Sequence, residues 1–256
     1  MQVAELWRFP VKSMQGQSVE RLALDTSGAA GDRLWGVIDL EAGKVLSAKR
    51  TASLLDAQAM LDDATGAVTI TLPDGTQLAA GDPATDAALS AWLGKEVRLS
   101  GPGAEAIPYE LTMDPTDDGS EVWDFATPPG SFVDLAAAHL LTTASVAAAA
   151  AAYPEGQWSV RRFRPTVLID SGDGEGFVED DWVGHDVQVG GATCNPFMAT
   201  PRCAMPTRAQ SLHGLERDTA ISRTLTDVHR NDLGVYCAVA AAGPVALGDA
   251  VTVRPA

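Results

Sequence analysis

Residues 200–210, with the sequence TPRCAMPTRAQ, contain the side chain best suited to metal or nucleophile chemistry. Cys203 directly follows Arg202, and a neighbouring cation favours the thiolate, the form of cysteine that binds soft metals and attacks electrophiles. Pro201 and Pro206 restrict the backbone on both sides, so a stiff loop is expected here rather than a regular helix or strand. For the cysteine taken alone, a buried structural thiol is the more common alternative.

Three further segments carry basic side chains beside turn signals. Residues 9–14 (FPVKSM) place Lys12 and Ser13 after a proline, residues 31–35 (GDRLW) place Arg33 beside a glycine, and residues 161–166 (RRFRPT) gather three arginines. Arginine forks and lysine ammonium groups suit phosphate and other anions. Taken alone, a solvated surface residue is the more common explanation for Lys12, and a surface salt bridge is the more common one for Arg33. For residues 161–166, pairing with local carboxylates is about as common as ligand binding.

The charge balance limits the classes of partner. The chain has 18 Lys and Arg against 34 Asp and Glu, a formal net charge of −16, so nucleic-acid binding is not expected. Salt screens distant charges, so a few cations in one pocket can still hold a small anionic ligand. No secretory signal or apolar run of membrane-spanning length is present, which predicts a cytoplasmic protein with no membrane contact.

The three cysteines, Cys194, Cys203 and Cys237, are expected to be free thiols, and no zinc-binding spacing is present. The four histidines have no serine or cysteine partner at motif spacing, so nothing favours a Cys–His hydrolase.

The first hundred residues predict mostly strands. Alternation of apolar and polar residues marks 3–9 and 18–24, residues 33–40 are another candidate, and 67–76 predict a hairpin around Pro-Asp-Gly. A helix is expected at 83–93, with Asp82 as its N-cap and Gly94 at its end. Strands at this spacing suggest a small barrel or sandwich.

The rest of the chain reads as a connection followed by a second unit. Glycine- and proline-rich segments between 100 and 130 break any periodicity. Helices are expected at 144–153 and 220–229, and strands at 164–170, 186–189 and 234–240. The predicted organisation is an N-terminal domain at 1–105, a linker at 106–130 and a second domain at 131–256.

The order of these motifs resembles one family over nearly the whole chain. PVKS, GDRLW, RFRPT, the PRC loop, LGVY at 233–236 and LGDAV at 247–251 resemble the MOSC proteins that carry an N-terminal β-barrel domain, including the mitochondrial amidoxime-reducing component and its bacterial relatives. The resemblance implies a mainly β fold with minor α, in which an N-terminal β-barrel-like domain packs on a C-terminal MOSC β-barrel domain. It places a molybdenum cofactor, molybdopterin with molybdenum, between them.

The resemblance also implies roles for individual residues. Cys203 matches the cysteine that gives its thiolate to molybdenum and is the expected catalytic residue. The residues implied to bind the cofactor are Lys12, Ser13, Arg33, Thr142, Thr143, Ser145, Arg164, Thr166, Pro201 and Arg202. Thr166 stands where many relatives have asparagine after the FRP motif, and Thr200 stands where several have a second cysteine, and both differences blur the substrate.

The function implied is molybdenum-cofactor-dependent reduction of small N-hydroxylated compounds such as amidoximes and hydroxylamines. Three cysteines are too few for a four-cysteine cluster plus a metal ligand, so electrons are expected from a separate protein. A monomer is expected. The alternatives are a cofactor-binding, carrier or sulfuration protein without reductase turnover, and a MOSC-like scaffold that has lost the cofactor.

Overall fold

The computed structural model describes residues 1–112, 122–128 and 130–254. The fold is mainly β with minor α, as predicted. The strands are β1 (Gln2–Arg8), β2 (Gln17–Val19), β3 (Arg21–Asp25), β4 (Gly28–Ala29), β5 (Gly36–Asp39), β6 (Lys44–Val45), β7 (Gln58–Leu61), β8 (Val68–Thr71), β9 (Gln77–Ala79), β10 (Val97–Ser100), β11 (Pro108–Thr112), β12 (Val122–Ala126), β13 (Ala138–Thr142), β14 (Val167–Asp170), β15 (Asp186–Val189), β16 (Ala192–Pro201), β17 (Asp232–Ala241), β18 (Gly243–Ala246) and β19 (Val251–Arg254).

The α-helices are α1 (Pro83–Leu93), α2 (Thr143–Ala152), α3 (Val160–Phe163) and α4 (Ala220–His229), and short 3-10 helices cover Ala52–Asp56, Val178–Trp182, Met205–Thr207 and Ser211–His213. The predicted ends of α1 are confirmed. The Asp82 carboxylate accepts a 2.8 Å hydrogen bond from Ala84 N, and Gly94 adopts the left-handed conformation with φ 67°. None of the helices in the described ranges combines the length and apolar character needed to cross a membrane.

The largest sheet joins both ends of the chain. Its strand order is β19-β15-β16-β17-β13-β14-β1-β2, and β1 runs antiparallel to β14. Gln2 also forms an antiparallel bridge with Ala250, just before β19, so the sheet curls back on itself as a barrel does. Strand pairing therefore crosses the predicted division at residue 105, because β1 and β2 complete the sheet of the second unit.

Three smaller sheets cover the rest of the described strands. Their orders are β10-β5-β6-β11-β12, β18-β3-β4 and β7-β8-β9. The hairpin predicted at 67–76 is present as β8 and β9, with Thr71 opposite Gln77. The predicted linker at 106–130 contains the antiparallel pair β11 and β12, so the part of it that the structure describes joins a sheet. Residues 113–121 and 129 of that linker lie outside the described residues.

Three predicted strands differ from the structure for identifiable reasons. Residues 33–40 yield a strand only from Gly36, because Arg33 has φ 46°, and residues 164–170 only from Val167, because Arg164 has φ 53°. Positive φ at a residue other than glycine is incompatible with the extended conformation of a β-strand. The single strand expected at 18–24 is divided into β2 and β3, which belong to different sheets.

Separate apolar clusters support the two faces of the site described below. Leu6, Leu140 and Val235 belong to the core of the large sheet, which also contains Cys194 and Cys237. Val11 and Met14 are fully buried in a second core with the residues of β7, β8 and α1. Burial of residues 11 and 14 fixes the turn between them, which carries Lys12 and Ser13.

Candidate functional site

Cys203 lies in a short loop just after β16. The backbone of Arg202 donates a 2.8 Å hydrogen bond to Asn231 O, and Asn231 Nδ2 donates at 2.7 Å to Arg202 O. Cys203 is partly buried, whereas Cys194 and Cys237 are buried in the core. Burial raises the pKa of Cys194 to about 12 and raises that of Cys237 as well, which keeps both as inert thiols. Cys203 is thus the accessible thiol of the three.

Lys12 and Ser13 occupy a tight turn after β1. Lys12 N donates a 2.8 Å hydrogen bond to Trp35 O, and Ser13 Oγ accepts one of 2.9 Å from Ala48 N. The Lys12 side chain is buried, and its Nζ donates to Phe132 O at 2.7 Å and to the Asp134 carboxylate. The Ser13 hydroxyl therefore joins this turn to the segment after β6, while the Lys12 ammonium group lies in the interior.

A second lysine, absent from the sequence prediction, joins this group. Lys49 Nζ lies 3.0 Å from Asp134 Oδ2, and the ammonium groups of Lys12 and Lys49 lie 4.7 and 5.4 Å from the centroid of the Tyr109 ring. Tyr109 Oη donates a 2.8 Å hydrogen bond to Asp134 O. Burial alone raises the pKa of the Asp134 carboxyl, but the two lysines hold it well below its usual range.

The two lysines differ in how well their charge is compensated. Burial, followed by repulsion from Lys49 and Arg33, outweighs the attraction of Asp134 and lowers the pKa of Lys12 to about 8. Burial also lowers the pKa of Lys49, but Asp134 and Cys203 raise it above its ordinary value. Lys12 is therefore the lysine that loses its proton more easily.

Arg33 and Arg164 meet on the ring of Phe9. Their guanidinium carbons lie 5.0 and 3.9 Å from the ring centroid. Arg33 also pairs with Asp32, while Arg164 Nη1 donates at 2.7 Å to Met14 O and its Nη2 is buried without a partner. Burial first, and repulsion from Arg33 second, lower the pKa of Arg164 to about 9, which leaves it charged at neutral pH.

Arg202 brings a further guanidinium group from the cysteine loop. Its Nη2 donates a 2.9 Å hydrogen bond to Phe163 O, and its Nε is buried without a partner. An unpaired buried donor costs about 1–3 kcal/mol, so two such groups at one place indicate a missing acceptor. Arg164 Nη2 and Arg202 Nε are accordingly the atoms most in need of an anionic ligand.

These residues line one cavity. Its volume of about 90 Å³ is several times the space that one water needs. The residues predicted from the sequence that line it are Lys12, Ser13, Arg33, Arg164, Thr166, Pro201, Arg202 and Cys203. Lining residues that the sequence reasoning did not assign include Val133, Asp134, Leu135, Ala136, Ala137, His139, Phe163, Met205 and Tyr236.

Residues with a left-handed backbone conformation are concentrated at the cavity. Within the described ranges, positive φ at non-glycine residues occurs at Ser13, Arg33, Arg164, Arg230 and Asn231. The first three line the cavity, and Asn231 holds the backbone of Arg202. Such conformations cost free energy and concentrate at functional sites.

The hydroxyl residues predicted to border the cofactor phosphate do not reach the cavity. Thr142 Oγ1 and Ser145 Oγ each donate a 2.6 Å hydrogen bond to Glu179 Oε2, and Thr143 Oγ1 lies 3.2 Å from Ser171 Oγ. Thr142 also caps α2 by accepting from Ser145 N at 3.1 Å. Their hydrogen-bonding capacity is used at the start of α2, so the structure separates them from the rest of the predicted site.

His139 and Tyr236 form an uncharged wall of the cavity. Their rings meet edge to face with centroids 5.8 Å apart, and His139 Nε2 lies 3.2 Å from Leu233 O. Burial, and then repulsion from Arg202, lower the pKa of His139 to about 3, so its ring is neutral at pH 7. Burial raises the pKa of Tyr236, so its hydroxyl keeps its proton.

The donor set fits one class of metal site. Among the described residues there is no group of three or more His, Cys, Asp or Glu side chains that could hold a metal ion. A metal here would take one protein thiolate and its other ligands from an organic chelate. The surrounding guanidinium and ammonium groups suit a chelate that is anionic.

Two family models match the chain. A model of the MOSC N-terminal beta barrel domain matches residues 1–106, and a model of the MOSC domain matches residues 128–252. The crystal structure of the YuaD protein from Bacillus subtilis resembles the chain with a TM-score of 0.50 at 11% identity, over 100% of this chain and 96% of that one, which shows a shared fold.

A second solved structure, YiiM from Geobacillus stearothermophilus, aligns with a TM-score of 0.34 at 15% identity, over 46% of this chain and 54% of that one. That likeness is too low to carry an argument. No curated protein sequence matches the chain.

Proposed function

The chain belongs to the MOSC protein family, and from this premise we propose that it binds a molybdenum cofactor through Cys203 and reduces N-hydroxylated compounds. MOSC domains are associated with proteins that bind the molybdenum cofactor. The observation that carries the proposal is that Cys203 shares one cavity with Lys12, Arg33, Arg164 and Arg202. In a chain of net charge −16, such a concentration of cations calls for an anionic ligand.

The side chains divide the work of binding. The Cys203 thiolate would be the protein ligand of molybdenum, a metal soft enough for sulfur. Lys12, Arg164 Nη2 and Arg202 Nε would meet the negative charge of the pterin cofactor and its phosphate. Pro201 and the two hydrogen bonds between Arg202 and Asn231 hold Cys203 in place before any ligand binds.

When bound, the cofactor would supply the two-electron chemistry of the reaction. Reduction of an amidoxime to an amidine and water consumes two electrons and two protons. Lys12 Nζ, whose pKa is about 8, holds a proton at neutral pH and can release it more easily than an ordinary lysine. Tyr236 keeps its hydroxyl proton and can donate a hydrogen bond to the substrate oxygen.

The electrons are proposed to come from a separate redox protein. Among the described residues, no three His, Cys, Asp or Glu side chains are grouped so that they could hold a metal ion. The sequence has three cysteines in total. A monomeric, cytoplasmic protein that meets its donor transiently is the simplest arrangement. Mixing the loaded protein with a reduced candidate donor protein and an N-hydroxylated substrate, and following re-oxidation of the donor, tests this part.

Metal and pterin analysis of freshly isolated protein tests cofactor binding. About one molybdenum and one pterin per chain are expected, and absence of both would leave only a MOSC-like scaffold without cofactor. Cys203→Ala should lose the metal while its circular dichroism spectrum stays unchanged.

Turnover separates the reductase from a carrier or sulfuration protein. Molybdenum-loaded protein supplied with a chemical electron donor is expected to reduce benzamidoxime to benzamidine. Full loading without turnover on several N-oxygenated substrates would contradict the reductase and favour the carrier.

A further inference from the structure

One partly exposed carboxylate of the cavity lining pairs with two buried lysines. Asp134 lies between β12 and β13 on the stretch 130–137, which has no regular secondary structure. Its two oxygens contact Lys12 Nζ and Lys49 Nζ, the second at 3.0 Å. The lysine side chains are 6% and 2% exposed, whereas the Asp134 side chain is 32% exposed. Of these three side chains, the Asp134 carboxylate is therefore the one most accessible to solvent.

The charges around the cavity do not balance. The lining holds the cations Lys12, Arg33, Arg164 and Arg202 and the carboxylate Asp134. Lys49 and Asp32 do not line the cavity, but they pair with Asp134 and Arg33. Five positive groups against two negative ones leave a formal excess of three positive charges. Asp134 thus reduces this excess without removing it, and a ligand that brings negative charge competes with Asp134 for the same cations.

Lys12 is the cation that this competition affects most. Asp32 is occupied with Arg33 and with the backbone N–H of Phe9, which donates to it at 2.7 Å. Of the two lysines that share Asp134, Lys12 lines the cavity and Lys49 does not. An incoming anion that pairs with Arg164 Nη2 and Arg202 Nε therefore also meets the Lys12 ammonium in the same cavity.

We propose that Asp134 is the internal counter-ion of this cavity, occupying the Lys12 ammonium until an anionic ligand replaces it there. Tyr109 Oη donates a 2.8 Å hydrogen bond to the backbone carbonyl of Asp134 and so fixes the backbone there. The carboxylate therefore leaves Lys12 by rotation of the Asp134 side chain. The ion pair between Lys49 and the Asp134 carboxylate remains after the contact with Lys12 is broken. The inference rests on the proposed function in one respect, that the natural ligand is the anionic cofactor.

Asp134 is then a positioning residue that sets the anion affinity of the site. Removing its charge should tighten anion binding, since one competitor is lost and the excess of positive charge grows from three to four. A purely structural role predicts the opposite, because loss of the contacts to Lys12 and Lys49 would loosen the cavity and weaken binding. The direction of the change in affinity distinguishes the two roles.

The experiment is a calorimetric titration of the full-length, cofactor-free protein with inorganic phosphate at constant pH and ionic strength. Asp134→Asn should bind phosphate about tenfold more tightly than the unsubstituted protein. Asp134→Glu, which keeps the charge, should stay within about threefold of the unsubstituted protein. Asp124→Asn is the matched control, because it also removes a carboxylate paired with a lysine, Lys44, but lies away from the cavity.

Equal or weaker phosphate binding by Asp134→Asn overturns the proposal, and so does an equal gain in the control. If Asp134→Asn does not fold, the double variant Asp134→Asn with Lys49→Met removes one charge of each sign and leaves the formal excess at three. Lys12 is then still without its carboxylate, so binding must remain tighter than in the unsubstituted protein. Binding no tighter than that of the unsubstituted protein counts against the proposal.

This titration stands apart from the test of the proposed function because it needs no molybdenum. Isolated protein without molybdenum and pterin would contradict cofactor binding and leave the phosphate result intact. Unchanged phosphate binding in Asp134→Asn would contradict the counter-ion role and leave cofactor binding intact.

Discussion

Arg164 Nη1 donates a 2.7 Å hydrogen bond to the backbone carbonyl of Met14. This bond ties the loop after α3 to the turn that carries Lys12 and Ser13, although the two segments are far apart in the sequence. The same guanidinium stacks on Phe9, with 3.9 Å between Cζ and the ring centroid, and leaves Nη2 without a partner. One side chain therefore both closes the cavity wall and offers a donor to a ligand.

Replacing Arg164 by lysine is expected to damage both tasks. A lysine cannot stack on Phe9 and reach Met14 O while presenting a second donor, so Arg164→Lys should lower the molybdenum content of the isolated protein at least tenfold. Loss of the buried hydrogen bond should lower the free energy of unfolding by about 1–3 kcal/mol. Metal analysis and denaturant unfolding measure the two effects.

Arg161→Lys is the control for this substitution. Arg161 stacks on Trp7 at 4.6 Å and contacts His213, and it does not line the cavity. Its replacement should leave the molybdenum content unchanged. An equal loss of metal in both variants would show that arginine at position 164 has no special role.

Cys203 should be dispensable for folding and required for the metal. Because Cys203 is only partly buried, Cys203→Ala should change the free energy of unfolding by less than about 1 kcal/mol. Molybdenum content and benzamidoxime reduction should both fall to background. Retained metal in this variant would remove the thiolate from the site.

Cys194→Ala provides the reverse pattern. Cys194 is fully buried in the core of the large sheet, so its truncation should cost about 1–2 kcal/mol of stability and leave the molybdenum content per folded chain unchanged. The two cysteine variants together separate metal binding from packing.

The hydroxyls of Thr142 and Ser145 are expected to serve stability rather than cofactor binding. Both donate to Glu179, and Thr142 also caps α2, so Thr142→Val should lower the free energy of unfolding by about 1–2 kcal/mol. The molybdenum content should not change. A selective loss of cofactor in a variant of normal stability would return Thr142 to the cofactor site.

The buried carboxyl of Glu179 should make the free energy of unfolding depend on pH. Burial raises the pKa of its carboxyl in spite of the hydrogen bonds from Ser145 and Thr142. A raised pKa in the folded state favours folding at acid pH, and this contribution is lost as the pH rises through the folded-state value. The stability of the unsubstituted protein relative to Glu179→Gln should therefore improve as the pH falls from 8 towards 5. Parallel unfolding curves at both pH values would contradict this.

Anion binding should weaken as the pH rises past the pKa of Lys12, about 8. Loss of the Lys12 proton removes one positive charge from the cavity, so the affinity for sulfate, whose charge is constant in this range, should fall several-fold between pH 7 and pH 9. Lys12→Met should bind sulfate weakly at both values. A pH profile that survives in Lys12→Met would assign the titration to another group.

Short-range sequence patterns correctly predicted the ends of a helix when those ends depend on residues within one turn. α1 begins and ends where Asp82 and Gly94 indicate, because a cap and a left-handed terminal glycine act within one turn of the helix. The predictions failed at Arg33 and Arg164, where positive φ delays β5 and β14. Neither arginine is a residue type that signals a left-handed conformation, so this signal was not available in the sequence.

The pairing of strands across the predicted domain division could not be read from periodicity either. Alternation predicted a half-buried strand at 3–9, whereas Leu6, Trp7 and Arg8 at the end of β1 are all buried. β1 pairs with β14, more than 150 residues later. Periodicity reports which face of a strand is buried and contains no information about the strand that lies beside it.

The sequence by itself determined the mainly β character, the order of motifs that identifies the MOSC family, and the combination of an arginine-flanked cysteine with basic turns. These depend on residue type and short-range spacing, which act within one element. The tertiary structure decided that Lys49 and Asp134 join Lys12 and that Thr142 and Ser145 turn to Glu179. A side chain enters a cavity or a core according to how distant elements pack, and that choice is made by the burial free energy of the whole chain rather than by its neighbours in sequence.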